Sequence, residues 1–252
     1  MLNAVNGTLK KNNYFQSKAG GENMIGCLCI HGFTGAPYEV EPLTEYLTKH
    51  TDWIISVPTL PGHGENLSLK DIHYQQWIEH AEAELKKLIK TCDRVYVIGF
   101  SMGGMIASLL AAKYPVDKLV LLSAAAYYLN PKQMANEIKS MIVDLFKGNL
   151  VNNEFFQRYK RKIKVTPIKA TFQFRRLVSY IKPLLPQVEV PTLIAQGECD
   201  GIVPPKSAEY LYRTISAKTK RLTYIKDSSH HICHCEEKEA LFSQVYDFLM
   251  ER

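Results

Sequence analysis

The sequence predicts an α/β fold with a mostly parallel central sheet flanked by helices, and three observations carry that prediction. Short apolar runs at residues 24–30, 94–98, 118–123 and 192–196 alternate with helical patterns over 37–50, 74–91, 102–114 and 205–215. Several of these runs are apolar throughout, as strands covered on both faces are. The chain is 252 residues long, with 46% hydrophobic and 22% charged residues, which is ordinary globular composition and enough for one sizeable core.

Met24 to Ile30 reads as a buried strand ending at His31-Gly32. Pro37 to His50 reads as a helix with Val40, Leu43 and Leu47 on one face. Trp53 to Val57 is a second strand, closed by Pro58 and Pro61-Gly62. Residues 74–91 form an amphipathic helix, with Trp77, Ala81, Leu85 and Leu88 at helical spacing. Arg94 to Ile98 is a strand, Gly99 to Gly103 a tight turn, and Met102 to Tyr114 a helix apolar nearly all round until Lys113. Lys118 to Ser123 is another buried strand.

From about 126 to 187 the strand signals stop, and helical patterns such as Met134 to Phe146 and Ala170 to Ile181 stand between turn-like breaks. The alternation then resumes with a strand at Thr192 to Gln196, a helix at Pro205 to Ile215, a strand at Arg221 to Ile225 and a closing helix at Glu236 to Met250. Residues 1–125 and 188–252 are therefore expected to form one α/β core, interrupted by a helical insertion over 126–187.

Net charge is +6, and the one basic concentration, Arg158 to Lys164, reads as a solvated face because no nucleic-acid motif accompanies it. Residues 1–21 contain two adjacent lysines but no following apolar run, so no signal peptide is expected. No window of 18 apolar residues exists, so no membrane-spanning segment is expected either. Six cysteines stand at 27, 29, 92, 199, 233 and 235; sequence alone does not pair them, and a chain this long needs no disulfide framework. Reduced thiols in a cytoplasm are the expectation.

Gly99-Phe100-Ser101-Met102-Gly103 matches G-x-S-x-G, and Ser101 falls where a strand gives way directly to a helix, the context this motif requires. A nucleophile on so sharp a turn takes a strained backbone, and glycines at 99 and 103 remove side chains that would collide there. Gly104 would let the helix lie close to the strands. The turn aims the helix N-terminus at a reacting carbonyl, so the Met102 N–H is a candidate oxyanion donor.

A serine hydroxyl needs a base, and the base needs an orienting acid. Asp200 follows the 192–196 strand and His230 follows the 221–225 strand, in the order serine, acid, histidine. Glu198 and Asp227 are rivals for the acid, and His231 and His234 for the base. His230, His231, Cys233, His234 and Cys235 are also a dense set of metal-ligand types. Adjacent residues rarely face one ion and no C-x-x-C is present, so no metal is expected and the two cysteines are placed under the closing helix. His31-Gly32-Phe33-Thr34-Gly35 follows the first strand and offers the Phe33 N–H as a second oxyanion donor, with His31 holding the loop by a hydrogen bond.

On four segments the chain resembles the bacterial carboxylesterases and monoacylglycerol lipases of the α/β-hydrolase superfamily. They are His31 to Gly35, Pro58-Thr59-Leu60-Pro61-Gly62-His63-Gly64, Gly99 to Gly104, and the loops of Asp200 and His230. The resemblance implies an α/β-hydrolase fold with Ser101, Asp200 and His230 as triad. It also implies Phe33 and Met102 as oxyanion amides and a helical cap at 126–187. It implies a small acyl ester as substrate and no cofactor. Thioester or C–C bond cleavage, or a non-catalytic ligand-binding relative, are the alternatives. Ser229-His230-His231 departs from the more usual Gly-His pair of such enzymes. Phe146, Phe155, Phe156, Phe172, Phe174 and Leu177 are either an acyl pocket or the cap's own core.

Overall fold

A computed structural model describes residues 24–127 and 168–251. The predicted helix at 134–146, the basic run at 158–164 and Phe146, Phe155 and Phe156 lie outside the described residues. Among the described residues six strands form one sheet: β1 (Ile25–Ile30), β2 (Ile54–Ser56), β3 (Arg94–Phe100), β4 (Lys118–Leu122), β5 (Thr192–Gly197) and β6 (Lys220–Ile225). Every pairing is parallel, in the order β2-β1-β3-β4-β5-β6.

Successive side chains of a strand point to opposite faces, and here both faces are covered. Leu28, Ile30, Val95, Val97, Leu119 and Leu121 meet one layer: α2 (Tyr74–Thr91), α3 (Met102–Lys113), α4 (Ile168–Ile181) and α5 (Lys206–Thr214). Their alternates Cys27, Cys29, Tyr96, Ile98, Val120 and Leu122 meet α1 (Glu41–His50) and α6 (Lys238–Met250) on the other face. This two-sided burial is why the strands read as unbroken apolar runs. Cys233 is wholly buried in the cluster that includes Leu241 and Val245 of α6, and Cys235 is half-buried against it.

Most boundaries shift by a residue or two from the sequence expectation, and three differences have a clear physical reason. The helix expected over 37–50 is a 3-10 turn at Pro37–Glu39 followed by α1. Pro42 explains the break, since proline lacks an N–H and is tolerated only in a helix's first turn. The strand at 53–57 shrinks to three residues because β2 pairs on one side only, with β1. β3 runs two residues beyond Ile98, because Gly99 and Phe100 continue to pair with Leu121 and Leu122.

The chain leaves β1 for β2 on one side and returns to place β3 on the other. Between the carboxyl ends of β1 and β3 the strand order reverses, and open α/β sheets bind ligands in that crevice. The loops after β1 and β3 border it.

Candidate active site

The reversal from β3 to α3 is concentrated in one residue. Ser101 has φ 53° and ψ −116°, a conformation that L-residues rarely adopt, while its N–H still bonds Leu122 O at 2.9 Å. Such strain costs about 1–3 kcal/mol and persists only where neighbours over-determine it. They do so here by contact. A Cβ on Gly103 would lie 2.2 Å from Ile30 O and 2.6 Å from His31 O. One on Gly99 would lie 2.3 Å from Gly103 O, and one on Gly104 would lie 2.5 Å from the Ala124 Cβ. The glycines thus clear the β1 loop and the loop after β4, and Gly104 plays its expected part. Residues Met102 to Ala111 of α3 are all buried.

Because its obstacle is backbone, Gly103→Ala is expected to lower folding stability by about 3 kcal/mol or more. Urea unfolding of the two proteins checks it; equal midpoints would contradict so close an approach of α3 to β1.

Ser101, Asp200 and His230 come together at the carboxyl edge of the sheet. The Ser101 Oγ lies 3.0 Å from His230 Nε2, and His230 Nδ1–H donates to Asp200 Oδ2 at 2.8 Å. All three are buried, at 7%, 5% and 6% exposure, so the relay is largely shielded from solvent. The other Asp200 oxygen accepts the N–H groups of Ile202 (2.9 Å) and Val203 (2.8 Å), and Gln196 Nε2 donates to Oδ2 at 2.9 Å. Burial alone would raise the Asp200 carboxyl, but the His230 imidazole and the Val203 and Ile202 amides hold it below its ordinary value. Its ionised form can therefore fix the imidazole with Nε2 facing the serine.

The rivals go elsewhere. Glu198 is exposed, and Asp227 is exposed at φ 54°, where it makes the turn after β6. His231 Nε2 lies 3.6 Å from Glu39 Oε1, and His234 Nε2–H donates to Tyr38 O at 2.8 Å. Three histidines from one loop thus face three different partners. Among the described residues no three His, Cys, Asp or Glu side chains gather as they would around a metal ion. The left-handed residue of the His230 loop is Asp227, so Ser229 needs no glycine there. The glycine that matters is Gly197, where a Cβ would lie 2.5 Å from both Ser228 O and Ser229 O.

The loop after β1 is fixed by hydrogen bonds at Gly32. His31 Nδ1–H and the Gly35 N–H (2.9 and 3.2 Å) both donate to Gly32 O. His31 Nε2 in turn accepts the Leu60 N–H at 3.0 Å. The carbonyl and N–H of one trans peptide point opposite ways, so these bonds also set the direction of the Phe33 N–H. Met102, first in α3, has no acceptor for its N–H within the helix. The left-handed position of this loop is Thr34, at φ 60°. Gly32 and Gly35 therefore serve space rather than the turn: a Cβ on Gly35 would overlap the Glu39 carboxylate and one on Gly32 would press on the Phe100 ring at 3.2 Å.

Beside this loop the Phe33 ring stacks on Phe174 of α4 (centroids 5.2 Å, 10°) and meets Trp77 edge-on at 5.8 Å. Phe174 and Leu177 are buried in the same cluster as α2 and α3, whereas Phe172 is 59% exposed. Sequence reasoning missed Glu39, Gln196 and Gly197. Gln196, a lone amide in an apolar strand, was the one visible signal.

Comparison with known proteins gives the family and the fold. The chain is 27% identical over 210 residues to a thermostable monoacylglycerol lipase of Bacillus sp. (strain H-257), covering 82% of each chain. It is 23% identical over 238 residues to a carboxylesterase of Bacillus subtilis (strain 168), covering 91% of this chain and 93% of that one. A solved metagenome-derived lipolytic enzyme superposes with a TM-score of 0.74 at 22% identity, covering 91% of this chain and 95% of that one. A monoacylglycerol lipase of Paleococcus ferrophilus superposes with a TM-score of 0.69 at 17% identity, over 89% and 93% of the two chains. The family model described as serine aminopeptidase, S33 matches residues 25–238, nearly everything from β1 to the start of α6, and the chain belongs to that family of the α/β-hydrolase superfamily.

Proposed function

We propose that this chain is a serine carboxylesterase that hydrolyses short- to medium-chain acyl esters or monoacylglycerols through an acyl-enzyme intermediate. The observation that carries the reading is the unbroken hydrogen-bond chain from Ser101 Oγ through His230 to Asp200. Relatives that are lipases and esterases make a carboxylic ester the bond to expect.

In this mechanism His230 Nε2 takes the Ser101 proton as Oγ attacks the acyl carbonyl, and the imidazolium is stabilised by Asp200. The carbonyl oxygen gains the negative charge, and the N–H groups of Phe33 and Met102 receive it, each worth about 3 kcal/mol in the transition state. The C–O bond to the alcohol then breaks, and His230 returns its proton to that oxygen. Water, deprotonated by His230, attacks the acyl-serine, releasing the carboxylic acid and restoring the Ser101 hydroxyl. No step needs a cofactor.

The half-buried Phe33 ring, backed by Phe174, is the apolar contact this reading offers the acyl chain. A helical cap within 126–187 belongs to the same proposal, although α4 at the end of that stretch packs with α2 and α3 in the core. Free thiols at all six cysteines support a cytoplasmic setting. Among the described residues no helix is long and apolar enough to cross a membrane.

The test is a series of p-nitrophenyl esters from acetate to palmitate, with parallel labelling by a fluorophosphonate. The expected result is a clear optimum at short to medium chain length and one labelled site, Ser101. Uniformly trace turnover with labelling intact would move the chain to thioester or C–C bonds, and absence of labelling would end the reading.

A further inference from the structure

Glu39 is a carboxylate where its position in the sequence asks for none. It ends the 3-10 turn Pro37–Glu39 and is only 3% exposed, although charged residues are seldom buried without a partner. One oxygen, Oε2, accepts the Gly32 N–H at 2.8 Å, and the other, Oε1, faces His231 Nε2 at 3.6 Å. The first contact grips the loop that presents the Phe33 amide, and the second grips the residue after His230. A neighbouring contact, His234 Nε2–H to Tyr38 O, joins the same two loops. Gly35 leaves its Cβ space to that carboxylate.

We infer that Glu39 is a positioning residue which, with His231, ties the oxyanion loop after β1 to the loop that carries His230, so that amide and base keep one relative placement. The physical reason lies in Gly32. Its N–H is held by Glu39 and its carbonyl by His31 and Gly35, so both peptide planes flanking Gly32 are pinned. The Gly32 N–H that Glu39 holds belongs to the peptide before the one that bears the Phe33 N–H, so its release frees rotation about Gly32 and lets the next plane tilt, and an oxyanion donor acts only when aimed before charge develops. The contact with His231 Nε2 keeps the carboxylate from turning to other donors. Loss of either contact therefore weakens the transition state and leaves ground-state binding unaltered.

The inference rests on the esterase reading for its kinetic readout, and one measurement is independent of it. With p-nitrophenyl butyrate, Glu39→Ala is expected to lower kcat about 10- to 100-fold with KM changed less than about 3-fold, below the loss expected for removing a donor outright. Glu39→Gln keeps an acceptor for Gly32, and His231→Phe keeps the ring contacts with Phe100 and His230. Each is expected to lower kcat by roughly 3- to 10-fold, and the double variant no further than the weaker single, because both break one unit. If Glu39→Ala does not fold, that cycle decides alone.

Values of kcat within about 2-fold of the parent in both conservative variants, or losses that multiply in the double, would overturn the inference. Hydrogen exchange at residues 31–35 is the independent readout, expected to quicken in Glu39→Ala and less in Glu39→Gln, which keeps the Gly32 acceptor. Should the parent prove inactive toward esters, the esterase reading fails, and this exchange still tests Glu39: unchanged rates would refute it.

Discussion

Ser101→Ala is expected to reduce turnover of acyl esters by at least about 10⁴-fold while the protein remains folded. In the proposed mechanism the hydroxyl forms the acyl-enzyme, and water held by His230 lacks its fixed 3.0 Å placement. What survives is the rate that oxyanion donors and substrate binding provide unaided. The cost to folding is small, since one buried hydrogen bond contributes about 1 kcal/mol. Ser101→Gly sharpens the expectation. Glycine adopts φ near 53° without the penalty an L-side chain pays, so that variant should be equally inactive yet no less stable than Ser101→Ala. Steady-state rates with thermal unfolding of the three proteins decide the matter. Turnover in Ser101→Ala above about 1% of the parent would exclude this serine as nucleophile.

The second large effect is at the acid. Asp200→Asn should cost about 10⁴-fold in kcat, because the carboxamide presents an N–H where the carboxylate accepted one and His230 turns to the wrong tautomer. Glu198→Gln, altering an exposed neighbour two residues away, should stay within about 2-fold of the parent. A reversed outcome would reassign the acid. Asp200 also carries a pH signature. Its carboxyl is held below the ordinary value in the folded chain, so its ionised form adds stability that is fully present above about pH 4–5, near and above the unfolded carboxylate pKa of about 3.9. That stability is lost as pH falls through the lower folded value. Urea unfolding should therefore show the parent's advantage over Asp200→Asn at neutral pH shrinking in acid.

The elements legible in the sequence were those whose pattern follows from burial alone. β1, β3, β4 and β5 are covered on both faces, so each appears as an apolar run, and α2 shows its buried stripe of Trp77, Ala81, Leu85 and Leu88. Ser101, Asp200 and His230 were legible because each follows a strand, and parallel strands bring such loops to one edge. Contacts between loops were not legible. Nothing in the spacing of Glu39 distinguishes a carboxylate folded under Gly32 from one on a helix surface. The space that Gly35 leaves for it is equally invisible, because a glycine in a loop reads first as a turn. β3 ran past its predicted end for a similar reason, as pairing with β4 continued through Gly99.

β6 lies at one margin of the described sheet, bonded to β5 alone, and most of its side chains reach solvent at least in part. The imidazole of the relay hangs from the loop that leaves this strand. A margin strand detaches at lower free-energy cost than the interior strands that bear the serine and the carboxylate. On warming, the loop of His230 is therefore expected to loosen before those of Ser101 and Asp200, so that ester turnover declines ahead of the loss of far-UV circular dichroism.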